Sequence, residues 1–98
     1  KKYMIFKILN NKMYIEEQGG GKIKVIDLNT NEEIFSIDLE GPLVNDYVKD
    51  DNMYLNTYAG EHNKLIIYNM KENKIIKEMN IKTQEKHSFN LIFPIRND

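Results

Sequence analysis

An all-β fold is predicted for this chain: about two copies of a four-stranded antiparallel unit, followed by the first strand of a third. Three observations predict it. The sequence repeats itself at an offset of 40 and then 42 residues. Within each copy the apolar residues alternate with a period of two, as half-buried strands require. Short clusters of Gly, Asn and Asp separate the alternating runs in the same order each time, which is the punctuation of tight turns.

The repeat is the strongest of the three. Asn11-Lys12-Met13-Tyr14-Ile15 lines up with Asp51-Asn52-Met53-Tyr54-Leu55 at an offset of 40. Beyond the next loop the offset becomes 42, and Lys22-Ile23-Lys24-Val25-Ile26-Asp27-Leu28 falls on Lys64-Leu65-Ile66-Ile67-Tyr68-Asn69-Met70. That offset carries Asn31 onto Asn73, Ile34 onto Ile76, Ile37 onto Met79 and Leu39 onto Ile81. The added residues lie in a loop, where insertions are best tolerated. A third copy is expected where Ile92-Phe93-Pro94-Ile95-Arg96-Asn97-Asp98 resembles Ile5-Phe6-Lys7-Ile8-Leu9-Asn10-Asn11. The units then run over about 1–41 and 42–84, with the start of a third at 85–98. The chain is expected to be a fragment, or the ordered part, of a longer array.

In chain order, residues 4–9 and 43–48 read as first strands, and 12–17 and 52–58 as second strands. Residues 22–28 and 64–70 read as third strands, and 33–39 and 75–81 as fourth strands. Ile23 and Val25 alternate with Lys24, and Ile37 and Leu39 with Ser36 and Asp38. Gly19-Gly20-Gly21 and Ala59-Gly60 join second to third strands. Asn29-Thr30-Asn31-Glu32 and Lys71-Glu72-Asn73-Lys74 join third to fourth, with Asn available for a left-handed turn residue. Gly41-Pro42 divides one unit from the next. A helical period is not sustained anywhere, although residues 63–77 contain local helix formers.

Composition narrows the function. At 98 residues the chain is one domain at most, and one of this size buries only about 60–65% of its unfolded surface. Basic and acidic residues number 14 and 15 and are interleaved, for a net charge of −1. No basic stripe points to nucleic acid. There is no cysteine, which removes disulfides, thiolate metal sites and a cysteine nucleophile together. No apolar run is long enough for a membrane-spanning helix, and Lys1-Lys2-Tyr3-Met4-Ile5-Phe6 lacks the pattern of a signal peptide.

Certain residues carry a family resemblance. Met13-Tyr14-Ile15, a Gly-rich turn, Lys22-Ile23-Lys24-Val25-Ile26-Asp27-Leu28-Asn29-Thr30-Asn31 and Ile37-Asp38-Leu39-Glu40-Gly41-Pro42 together resemble the YVTN-type β-propeller repeat. The second copy departs from it: Asn69 stands for Asp27, Glu72-Asn73 for Thr-Asn, and no Gly-Pro follows Ile81. The unit is also WD40-like, but Ile26 and Tyr68 occupy the tryptophan place and the chain has no Trp. The resemblance implies two β-propeller blades and the first strand of a third. It says little about function, since function belongs to sites rather than folds.

By the same resemblance, residues 19–21, 40–42, 59–63 and 82–87 are expected to share a rim on which partners act. Glu61, His62, Lys86 and His87 are the candidate interaction residues there. The two histidines also raise the question of a metal or general-base site, but no ligand spacing supports one. Gly19-Gly20-Gly21 leads into a strand, not into the helix a phosphate loop needs. Glu16 and Glu17 are neighbours on a strand and point to opposite faces. Asp50-Asp51 reads as a turn, and Ser36 and Ser88 have no nucleophile context. Tyr14 and Tyr54 recur in register as packing positions.

No catalytic residue, cofactor or metal site is expected. The expected function is a binding or scaffold module whose rim meets another protein or a cell-surface component. Its partner is expected to be protein, either the rest of a longer propeller or another chain, with no nucleic acid and no membrane. The alternatives are a non-catalytic part of a lactonase-like or quinoprotein-like propeller enzyme, or a two-blade chain that oligomerises into a closed ring.

Overall fold

The computed structural model describes residues 2–82. Its eight strands are β1 (Tyr3–Leu9), β2 (Lys12–Glu17), β3 (Lys22–Asp27), β4 (Glu32–Asp38), β5 (Leu43–Lys49), β6 (Asn52–Tyr58), β7 (His62–Asn69) and β8 (Lys74–Lys82). They form two four-stranded antiparallel sheets, ordered β1-β2-β3-β4 and β5-β6-β7-β8. The chain divides into two compact units, Lys1–Glu40 and Gly41–Asp98, with one sheet in each. Every consecutive pair is a hairpin, so each sheet is a simple meander. The expected all-β class and the antiparallel four-strand unit are both present. The expected first strand of a third copy, residues 92–98, lies outside the described residues.

Several strand boundaries differ by one or two residues from those expected. β7 begins at His62 rather than Lys64 because Gly60 alone carries the reversal, at φ 94°, and Ala59 N–H donates to the His62 carbonyl at 2.9 Å. β3 and β7 stop before Leu28 and Met70, whose amides turn back to the carbonyls of Asn11 and Asp51 at 3.0 and 2.7 Å. β4 stops at Asp38, although Leu39 N–H still reaches the Gly21 carbonyl at 3.0 Å.

The turns explain why the polar clusters sit where they do. Asn10 and Asn11 both take left-handed φ, 53° and 63°, the combination that lets a two-residue hairpin follow the strands' twist. Asn31 and Asn73 occupy equivalent left-handed positions at 64° and 55°. At the end of each third strand an Asx side chain clamps the following turn. Asp27 Oδ1 accepts from the amides of Asn29 and Thr30 at 2.7 and 3.4 Å. Asn69 Oδ1 accepts from the amide of Glu72 at 2.8 Å. Asp and Asn offer the same oxygen, so the change between copies preserves the device.

Register decides which side chains are buried. On the first face of unit 1, Tyr14, Ile23, Val25 and Ile37 are fully buried, and they are cross-strand or same-strand neighbours through Tyr14↔Val25 and Ile23↔Ile37. The second face carries Ile5, Ile8, Met13, Ile15 and Ile26, and it is open: Ile5 and Ile8 are 58% and 59% exposed. Unit 2 reverses this. Met53, Leu55, Ile66 and Tyr68, the equivalents of Met13, Ile15, Lys24 and Ile26, are buried. Tyr54, Leu65 and Ile67, the equivalents of Tyr14, Ile23 and Val25, are only half-buried, and Met79, the equivalent of Ile37, is 43% exposed. Each copy buries its large apolar side chains most fully on the face where the other leaves them more exposed, although Asn56 and Asn63 on the first face of unit 2 are themselves fully buried.

Two expectations follow. A Cβ on Gly41 would lie 1.7 Å from the Tyr58 carbonyl oxygen, so Gly41→Ala must push apart the strand entry that Tyr58 N–H ties to the Pro42 carbonyl. A loss of about 1–3 kcal/mol is expected from such overpacking, read as a lower urea midpoint; an unchanged midpoint contradicts it. Burial also pushes the Tyr14 phenol above its ordinary value. A raised acid favours the neutral folded state. Its contribution is whole below the unfolded-state value near 10 and fades as pH climbs toward the folded-state value. Stability should therefore fall above about pH 10, and less steeply in Tyr14→Phe, as followed by chemical denaturation across alkaline pH.

Candidate functional site

Two of the four expected interaction residues are described, and both sit at one end of the second sheet. Glu61 is exposed in the turn after Gly60, and His62 is half-exposed as the first residue of β7, opposite Lys82 of β8. Gly41 and Pro42 stand at the same end, held against Tyr58 by the hydrogen bond from its N–H to the Pro42 carbonyl. Lys86 and His87 lie outside the described residues. On β7 the His62 side chain shares a face with Lys64, Ile66 and Tyr68. Among the described residues no three His, Cys, Asp or Glu side chains come together as a metal site. No described helix is long and apolar enough to cross a membrane.

Behind this end lies a feature that the sequence reading did not single out. Asn45, Asn56 and Asn63 form a ladder of amides across β5, β6 and β7. Asn56 Nδ2 donates to Asn45 Oδ1 at 2.8 Å, and Asn63 Nδ2 donates to Asn56 Oδ1 at 2.9 Å. Asn56 and Asn63 are fully buried. Register makes the ladder: Asn45 pairs with Asn56, and Asn63 is the diagonal neighbour of Asn56 through Leu65. On the opposite face Thr57, also fully buried, donates its hydroxyl to the Lys64 carbonyl at 3.2 Å. Buried amides are tolerated only when bonded, and a bonded chain of them fixes one arrangement of the strands.

A signal for the ladder existed. The repeat aligns Asn45 with Ile5, Asn56 with Glu16 and Asn63 with Gly21. Three departures from the first copy all become Asn, yet their adjacency appears only once register is known. Sequence spacing alone could not supply that.

Electrostatics differ between the two open faces. On the second face of unit 1, Lys22 approaches Asp38 at 3.8 Å and Lys24 approaches Glu33 at 3.6 Å. Lys24 also lies over the Tyr3 ring, 4.9 Å from its centroid. The contact with Tyr3 first, and the Glu33 carboxylate after it, hold the Lys24 ammonium above its ordinary value. These pairs are at the surface and contribute little to stability. On the first face of unit 2, Lys49, Lys74 and Lys77 share the sheet surface through Lys49↔Asn52↔Asn69↔Lys74 and Ile67↔Lys77. Lys74 pairs with Glu72 of the adjoining turn at 3.3 Å.

No family model, no curated protein and no solved structure matches the chain. The functional reading therefore rests on these residues alone.

The ladder predicts an ordered set of stabilities. Asn56→Ala strands both the Asn45 acceptor and the Asn63 donor, at about 1–3 kcal/mol for each group left buried without its bond. Asn45→Ala breaks only the outer link. The shift in denaturation midpoint should be larger for Asn56→Ala than for Asn45→Ala, and the double variant should be less destabilised than the sum. Equal shifts, or full additivity, would show that the amides do not act as one network.

Proposed function

We propose that this chain is a two-blade segment of a β-propeller-type array, of the YVTN and WD40-like kind, and that it acts as a binding or scaffold module for another protein. The observation that carries the reading is the duplication of one four-strand meander with its local devices intact. The Asx clamp at Asp27 and Asn69 recurs, and so do the left-handed Asn31 and Asn73. The extra residue in the fourth strand recurs as well, at Ile34 and Ile76. Repeats of this kind cannot bury their hydrophobic faces singly and do so by stacking on one another.

The binding role rests on the loop end of the second unit. Glu61 is exposed, His62 is half-exposed, and the Pro42 and Gly60 turns beside them stand on a sheet stiffened by the amide ladder. Function placed on loops above a rigid scaffold is the common arrangement. Protein is the favoured partner because basic and acidic residues are interleaved along the chain, giving a surface of mixed charge.

A photo-crosslinker placed at position 61, compared with one at position 71 in the opposite turn, tests the reading in an extract of the cell that makes the protein. A protein adduct is expected from position 61 and not from 71. The unlabelled protein should compete it away, and the Glu61→Gln, His62→Ala double variant should not. Adducts formed equally from both positions, or undiminished by competitor, would remove the rim-binding role.

A further inference from the structure

Unit 2 holds a pair of phenols that unit 1 does not repeat. Tyr47 of β5 and Tyr54 of β6 are direct cross-strand partners, with ring centroids 6.2 Å apart and planes at 49°. We infer that this pair is a modification site, at which a one-electron oxidant joins the two rings into a dityrosine that staples β5 to β6. The inference goes beyond the rim-binding reading and does not depend on it.

Comparison with the sister unit shows what is particular to the pair. At the offset of 40, Tyr54 falls on Tyr14 and Tyr47 on Lys7. Tyr14 still has an aromatic neighbour: Phe6, at the register shift between Ile5 and Lys7, meets it at 6.3 Å and 52°. A tilted ring contact is therefore a packing device of both copies. A phenyl ring has no O–H to lose, so the contact in unit 1 ends at packing. In unit 2 the same contact brings two oxidisable rings together.

Three features suit the pair to coupling. Directly opposed residues on antiparallel strands hold their Cβ atoms about 4.5–5.5 Å apart, so side-chain rotation rather than strand movement closes the remaining gap. The next pair on the same face, Asn45 and Asn56, is tied by a hydrogen bond of 2.8 Å, which keeps the strands in register while the rings react. Both tyrosines are half-buried, and part of each ring meets solvent, where an oxidant takes the electron. A biaryl bond flanked by two hydroxyls also keeps its rings twisted, as these rings already are.

The oxidant comes from outside the chain: hydrogen peroxide acting through a haem peroxidase. Each phenol gives up one electron and its hydroxyl proton. The two phenoxyl radicals join through ring carbons ortho to their oxygens. Each joined carbon then passes its hydrogen, by way of solvent, to its own oxygen, and two phenols are restored. The two electrons and two protons released reduce one hydrogen peroxide to two waters. The bond fastens β5, an edge strand of its sheet, to β6, and it restrains the unfolded chain as a cross-link does.

Treatment of the purified full chain, in dilute solution, with a haem peroxidase and limiting hydrogen peroxide tests this by mass spectrometry and by dityrosine fluorescence. A monomer lighter by two hydrogen atoms is expected, with a raised urea midpoint. Trypsin cuts after Lys24, Lys49 and Lys64, so a linked pair of peptides 25–49 and 50–64 reports the bond. The second peptide also holds Tyr58. Tyr47→Phe and Tyr54→Phe, which keep a ring in place, should each abolish the intramolecular product, while Tyr58→Phe keeps it. Peptide mapping of the parent decides the matter where a variant does not fold. The inference is overturned by the absence of the linked pair, by cross-linked dimers as the main product at dilution, or by a linked pair undiminished in Tyr47→Phe or Tyr54→Phe.

Discussion

Everything in these sheets depends on register, and an Asx oxygen at the end of each third strand helps to hold it. A slip of a single residue would turn Ile23, Val25 and Ile37 to solvent and bring Lys24 and Ser36 inward. Asp27 Oδ1 works against it in unit 1 by holding the two amides that follow. Asn69 does the same in unit 2 and uses its amide nitrogen as well, donating to Asn52 Oδ1 across the hairpin at 3.0 Å. The second arrangement ties the turn to β6 directly. Left-handed Asn31 and Asn73 complete each turn, where a β-branched residue would be strained.

These devices were the legible part of the chain. Alternation identified the strands, and Asn and Gly identified the turns, because both signals are local and chemical. The errors lay at strand ends. His62 and Asn63 read as loop because they follow Ala59-Gly60-Glu61, yet a single left-handed glycine suffices for the reversal and pairing resumes at once. Which face of each sheet is buried was not legible, since alternation says that faces differ and not which one is covered. Ile5 and Ile8 are apolar strand residues, yet they are largely exposed. At the candidate site, Glu61 and His62 could be placed at a turn from sequence, whereas the amide ladder beside them required cross-strand neighbours.

The ladder also shows how two copies of one unit acquire different properties. Glu16 and Gly21 of unit 1 cannot form the links that Asn56 and Asn63 form in unit 2, and Met4, which pairs with Glu16 as Asn45 pairs with Asn56, offers no acceptor. A buried chain of amides adds little net stability compared with apolar packing, but each broken link is costly. Its effect is to reject alternative registers of β5, β6 and β7. The unit with the candidate interaction residues is the one given this rigidity, which suits a surface that must keep its shape on binding.

The differences between copies track burial position by position. Lys24 lies on an open face and its counterpart Ile66 on a buried one; Ile26 and Glu33 give way in the same direction to Tyr68 and Ile75. On the other face the change reverses, with Phe35 on the buried side and Lys77 on the open side. Charge has been placed where water reaches. The replacement is incomplete, however, because Ile5, Ile8 and Met79 remain apolar and exposed in the midst of those lysines and carboxylates.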